Sequence, residues 1–86
     1  MITSGVVAVG TVATKIHDNF SMEGALHVSN LDNTDTIFIG GPSVVVNSGH
    51  ALLKSLSEDF MVPAGDSFYA VSSKTGHSVG FVFITP

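Results

Sequence analysis

The chain has 86 residues, a net charge of −4 and no cysteine, with 44% apolar and only 12% charged residues. A chain of that length is one domain that buries about 60–65% of its unfolded surface, so it depends on a dense core or on oligomerisation. Lack of cysteine excludes disulfides, thiolate metal sites and thiol nucleophiles, and three lysines (Lys15, Lys54, Lys74) with no arginine argue against nucleic acid, whose phosphates call for clustered cations.

The charged share is about half that of an ordinary soluble domain. Either much of the surface is polar but neutral, or part of it is covered by a partner.

Met1 to Gly10 has no positive n-region, and the apolar run Val6 to Val9 is far short of the ~20 residues of a membrane span. Neither a signal peptide nor an anchor is expected, and no membrane partner. Residues 5–16, GVVAVGTVATKI, are apolar and β-prone with Gly10 as an interruption. They read as one long strand bulged at Gly10, or as an arm followed by a strand from Val12 to Ile16. The domain division is therefore an N-terminal arm or edge strand over 1–10 and a single β-sandwich domain over 11–86. Phe20 stands alone in a polar loop, where it either plugs the end of a sandwich or makes an exposed contact.

The stretch LHVSNLDNTDTIFIGGPSVVVNSG reads as three strands with their turns written in. Leu26 and Val28 alternate with His27 and Ser29, the period of a strand with one buried face. Asp32 to Asp35 supplies turn-forming side chains. Thr36 to Ile39 is the second strand, ended by Gly40-Gly41-Pro42, and Ser43 to Val46 is the third, closed by Asn47-Ser48-Gly49. Hairpin pairing of these neighbours is the simplest arrangement.

His50 to Leu53 is a short strand or one helical turn. Leu56, Phe60 and Val62 share a face opposite Ser57, Asp59 and Met61, and Glu58 on the apolar side marks an edge strand or a shifted register. Pro63 to Asp66 fits a type I turn. Ser67 to Ser72 is a strand, and Lys74-Thr75-Gly76 a tight hairpin turn. The last strand, Val79 to Ile84, is apolar on both faces, so it is either central and shielded by a loop or set against another subunit. Seven or eight short strands make an all-β fold: a small antiparallel β-sandwich or jelly-roll-like barrel.

Signals for chemistry are sparse. His17, His27, His50 and His77 lack the paired spacing of metal ligands. There is no Gly-x-Ser-x-Gly elbow, and Gly40-Gly41-Pro42 is not followed by the Lys-Ser/Thr of a phosphate loop. Tyr69 with Phe38, Phe68, Phe81 and Phe83 suits a sugar platform less well than a core at strand spacing. No catalytic, cofactor-binding or metal residue is assigned, no cofactor is expected, and the chain does not read as an enzyme. Candidate protein-contact residues are Val6, Val7 and Val9 near the N-terminus, Phe20 in its loop, and Val82 and Ile84 on the second face of the last strand.

A resemblance spans roughly residues 24–84. A strand ending in Asn30, then Ile37, Ile39, Gly40 and Gly41, then a turn with Asn47 and Gly49, then Gly65, Asp66, Tyr69 and Ala70, resembles small β-sandwich virion proteins of tailed bacteriophages. The resemblance implies a capsid decoration protein, a homotrimer, that binds the major capsid protein on the outside of the head after synthesis in the host cytoplasm. The acidic charge independently favours the outer face of a shell over a DNA-lined interior. Two alternatives belong to other classes. A receptor- or glycan-binding module of a head fibre or tail calls for an exposed aromatic platform. A small hydrolase or isomerase of cupin-like shape calls for convergent histidines.

Overall fold

The computed structural model describes residues 2–17, 23–31 and 34–85. They form eight strands and no helix: β1 (Ile2–Val9), β2 (Thr14–Lys15), β3 (Gly24–Asn30), β4 (Ile37–Gly40), β5 (His50–Leu52), β6 (Ser57–Val62), β7 (Tyr69–Ser72) and β8 (His77–Ile84). Sheet A has the order β1-β8-β3-β6 and sheet B the order β2-β7-β4-β5, with every pairing antiparallel. Each connection except β4 to β5 passes from one sheet to the other. This is the winding of an eight-stranded jelly roll.

Alternation explains which side of each strand faces the core. Leu26 and Val28 of β3 are fully buried while His27 between them is exposed. Val79 and Phe83 of β8, Val62 of β6 and Val9 of β1 join them from sheet A. Ile37, Ile39, Leu52 and Ala70 face them from sheet B, with Ile16 beside β2. Phe60 and Phe68 close one side of this core with their rings 4.8 Å apart. Asn30 is the polar exception. Its side chain is 3% exposed, and its Nδ2 donates to the carbonyl oxygens of Asp35 and Leu52, each at 3.0 Å. It ties the two loops that leave β3 and β5 to one end of the sandwich, and burial is affordable only because both donations are made.

Several local expectations are corrected by the long-range pairing. β3 and β4 are not a hairpin but lie in different sheets, and β4 pairs with β5 instead. Ser43 to Val46 is not a strand. Val44 N–H donates to the Gly41 carbonyl and Ser48 N–H to the Val45 carbonyl, so the segment is two successive turns despite its β-branched side chains. Val44 is buried against Gly40, which folds the loop over the outer side of sheet B. Between Val12 and Ile16 only Thr14–Lys15 pairs as strand, and Gly10 marks a crossover between sheets rather than a bulge. Lys74 to Gly76 likewise joins strands of different sheets. The turn at Pro63 has Asp66 N–H donating to the Pro63 carbonyl, with Gly65 at φ 85°. A positive φ at the third position is the mark of type II rather than type I.

Two glycines in such turns differ in what surrounds them. Gly49 has φ 74°, and a Cβ there would lie 2.4 Å from the Ile39 carbonyl oxygen. Gly65 has φ 85° and open space around it. Gly65→Ala is therefore expected to cost about 1–2 kcal/mol, the strain of a left-handed residue alone. Gly49→Ala must cost more, because backbone has to move as well. Urea unfolding of the two variants checks this, and a Gly49→Ala loss no larger than that of Gly65→Ala contradicts it.

Candidate protein-contact surface

The outer face of sheet A is built from the residues that alternate with the core. Ile2 pairs with Ile84, Ile84 with Ala25 and Ala25 with Met61, so one apolar row crosses all four strands. The next row on the same face is Ser4, Val82, His27 and Asp59, and the third is Val6, Gly80, Ser29 and Ser57. At about 4.8 Å between strands, each row is about 14 Å long. Leu31 folds over Gly80, within 3.5 Å of where a Cβ would stand, and extends the apolar surface past the end of β3.

Exposure shows how much of this face the chain itself leaves bare. Ile2 is 70% exposed, Val6 68%, Met61 66%, Leu31 54% and Ile84 48%. An antiparallel sheet with one solvated face normally carries polar residues there. Here the first row is apolar throughout, the other two rows carry the neutral Ser4, Ser29 and Ser57, and a charged pair stands toward the β6 side, where His27 Nδ1 lies 2.6 Å from Asp59 Oδ1. Shallow depressions lie to either side of Val82, one edged by Ala25, Met61 and Ile84, the other by Val6, Leu31 and Gly80.

The candidate contact residues divide. Val6, Val82 and Ile84 lie on this outer face, with Val82 half-buried between β1 and β3. Val9 is corrected: it faces inward, is 2% exposed and belongs to the core, so its side chain is committed to the domain. Val7 also points inward and packs against the core. Phe20 lies outside the described residues. Residues 2–9 are paired with β8 along their whole length as the edge strand of sheet A. Ile2, Ala25, Leu31 and Met61 complete the surface and were not singled out from the sequence. The available signal was the even-numbered spacing of Ile2, Ser4, Val6 and Ala8, which defines the outer face of β1.

The histidines and aromatics are dispersed. His27 pairs with Asp59, His50 Nε2 lies 3.5 Å from Glu58 Oε2, and His77 Nε2 lies 3.0 Å from Asp35 Oδ2. His17 is buried, its ring stacked on Phe83 at 4.8 Å, and its Nε2 accepts from the Phe68 N–H at 3.4 Å. Among the described residues no three His, Cys, Asp or Glu side chains converge. Phe83 is in the core, Phe68 packs on Phe60, Phe81 lies beneath β1, and Phe38 and Tyr69 sit on the far side of sheet B. These five rings share no platform.

No protein-family model matches the chain, and no curated protein does. Among solved structures, one described as "Bacillus endospore appendages form a novel family of disulfide-linked pili" is similar to it with a TM-score of 0.56 and 16% identity. The likeness covers 99% of this chain and 85% of that one. It supports the all-β sandwich and extends to fold alone.

The inward side chains separate stability from contact. Val9→Ala is expected to cost about 1.5–3 kcal/mol of stability through lost burial and the space left behind. Val6→Ala, on the exposed outer side of the same strand, should change stability by less than about 0.5 kcal/mol. Equal losses in urea unfolding would place the faces of β1 wrongly.

Proposed function

We propose that this chain is a capsid decoration protein of a tailed-phage virion, seated on the outside of the head with the outer face of sheet A against the major capsid protein. The observation that carries the reading is the apolar row Ile2, Ile84, Ala25 and Met61 across the outer face of sheet A. A surface of that kind on a chain with so few charges fits a protein that is partly covered in its working state. Sequence resemblance supplies the virion. Acidic net charge favours the exterior.

The mechanism is linkage. A protein that binds the assembled shell and not free subunits stabilises assembly by RT ln(1 + [L]/Kd), about 2.7 kcal/mol per site at a hundredfold excess over Kd. Strands of a sandwich suit this task because the contact face is held rigid by the core beneath it, so little ordering is needed on binding. This sequence has no cysteine, so its contacts include no disulfide. The receptor- or glycan-binding alternative has less to stand on, since of the five rings only Phe38 and Tyr69 share an outer face.

The test is binding to shells lacking the chain, read by co-sedimentation and by imaging of the particle exterior. Ile2→Lys with Met61→Lys should weaken binding by about 2–4 kcal/mol, as expected when the exposed apolar anchors at both ends of the row are replaced by charges. Stability of the free domain should stay within about 0.5 kcal/mol, because both positions are exposed. Binding that is absent, or indifferent to these lysines, rejects the reading.

A further inference from the structure

We propose that β1 pairs with β1 of a second copy of this chain, antiparallel about a two-fold axis perpendicular to the sheet, so that two copies of sheet A become one sheet of eight strands. The proposal concerns copies of this chain alone and does not rest on the capsid reading.

The four sheet edges are unequal. An open edge presents unpaired N–H and C=O groups, and proteins blunt it with short strands, charges, proline or bulges. β2 is two residues long and includes Lys15, and β5 is three residues long. β6 carries Glu58 and Asp59 and runs straight into Pro63. β1 is eight residues long, ITSGVVAV, without a charge or a proline. It keeps one-to-one register with β8 from Ile2 to Val9, so no bulge turns it aside. Among the described residues no strand lies on its other side.

A second copy is the occupant these features favour. Among the described residues the one long edge without a blunting device is β1, so a matching edge is supplied by another β1. A two-fold axis on β6 would set Glu58 and Asp59 close to their own copies, whereas on β1 no like charges meet. Placing Gly5 on the axis keeps outer-face residues beside outer-face residues. Ile2 then stands opposite Ala8, Thr3 opposite Val7 and Ser4 opposite Val6, a larger side chain against a smaller one each time.

Gly5 itself supports that centre. It offers no side chain to the inner face, and the Phe81 ring of β8 lies over it, 3.2 Å from where a Cβ would be. Phe81 is only half-buried in the single chain. Pairing brings two Phe81 rings over a Gly5–Gly5 centre and covers the side of each ring that the edge leaves open. It also puts both outer faces on the same side, doubling the apolar surface in one plane. The resemblance to phage proteins implies a three-fold arrangement; this pairing is two-fold, and mass alone tells them apart.

The experiment uses the purified full chain without any shell. Sedimentation equilibrium over graded concentration should give twice the chain mass. In the variant Ser4→Lys with Ala8→Lys, both exposed edge positions, the dissociation constant should rise at least about tenfold while circular dichroism and the thermal midpoint of the dilute monomer stay unchanged. As a second readout, Ser4→Cys with Val6→Cys introduces the chain's only thiols and should give a disulfide-linked dimer on mild oxidation. Met61→Cys, at the far edge of the same face, should not. A monomer up to about 100 µM, where pairing of even modest affinity would show, overturns the proposal. So does a trimer, or a dimer that ignores the lysines and fails to cross-link through positions 4 and 6.

Discussion

Phe83 sits on the inner face of β8 in the middle of sheet A, 1% exposed, with its ring stacked on His17. Its partners on either side are Thr3 of β1 and Leu26 of β3, and its ring leaves no room for a side chain on Gly24. A Cβ at Gly24 would lie 2.9 Å from that ring and 2.5 Å from the Ile84 carbonyl oxygen. This contact fixes which face of β8 is inside. Once Phe83 and Val79 point to the core, Val82 and Ile84 must point away from it, whatever their hydrophobicity.

The consequence is a third apolar face. Two sheets packed together hide their facing sides, and here those sides hold Leu26, Val28, Ile37, Ile39 and their neighbours. The outer side of sheet B is covered in part by its own larger residues, with Val71 1% exposed beside Phe38. On sheet A, Leu31 lies over the outer side above Gly80, while among the described residues Ile2, Val6, Met61 and Ile84 stay exposed. The described residues lay no further layer over it, so in the single chain the face stands exposed.

Much of the fold was legible because the signal for it is local. The alternation in β3 and the two-faced apolar run of β8 depend on neighbours one and two residues away, and both strands are where the pattern puts them. Glu58 on the apolar side of β6 correctly signalled an edge. Turns at Gly49, Gly65 and Gly76 were legible as turns, since all three have positive φ. Which sheet each turn leads to was not, because crossing and hairpin connections use the same residues. Ser43 to Val46 shows the other limit: three valines favour a strand, but burial of Val44 over Gly40 bends the segment into turns. The contact face was the least legible feature. Ile2, Ala25, Met61 and Ile84 lie far apart in the chain, and only the register of four strands brings them into a row.

The central claim is that this row is covered in the working assembly. Methyl-labelled protein, compared free and bound to intact particles in the presence of a soluble paramagnetic agent, measures that directly. The methyl groups of Ile2, Met61 and Ile84 should lose most of their relaxation enhancement on the particle, while exposed Val12 and Leu53, which lie off this face, keep theirs. Undiminished enhancement at Ile2, Met61 and Ile84, with Val12 or Leu53 protected instead, would contradict it.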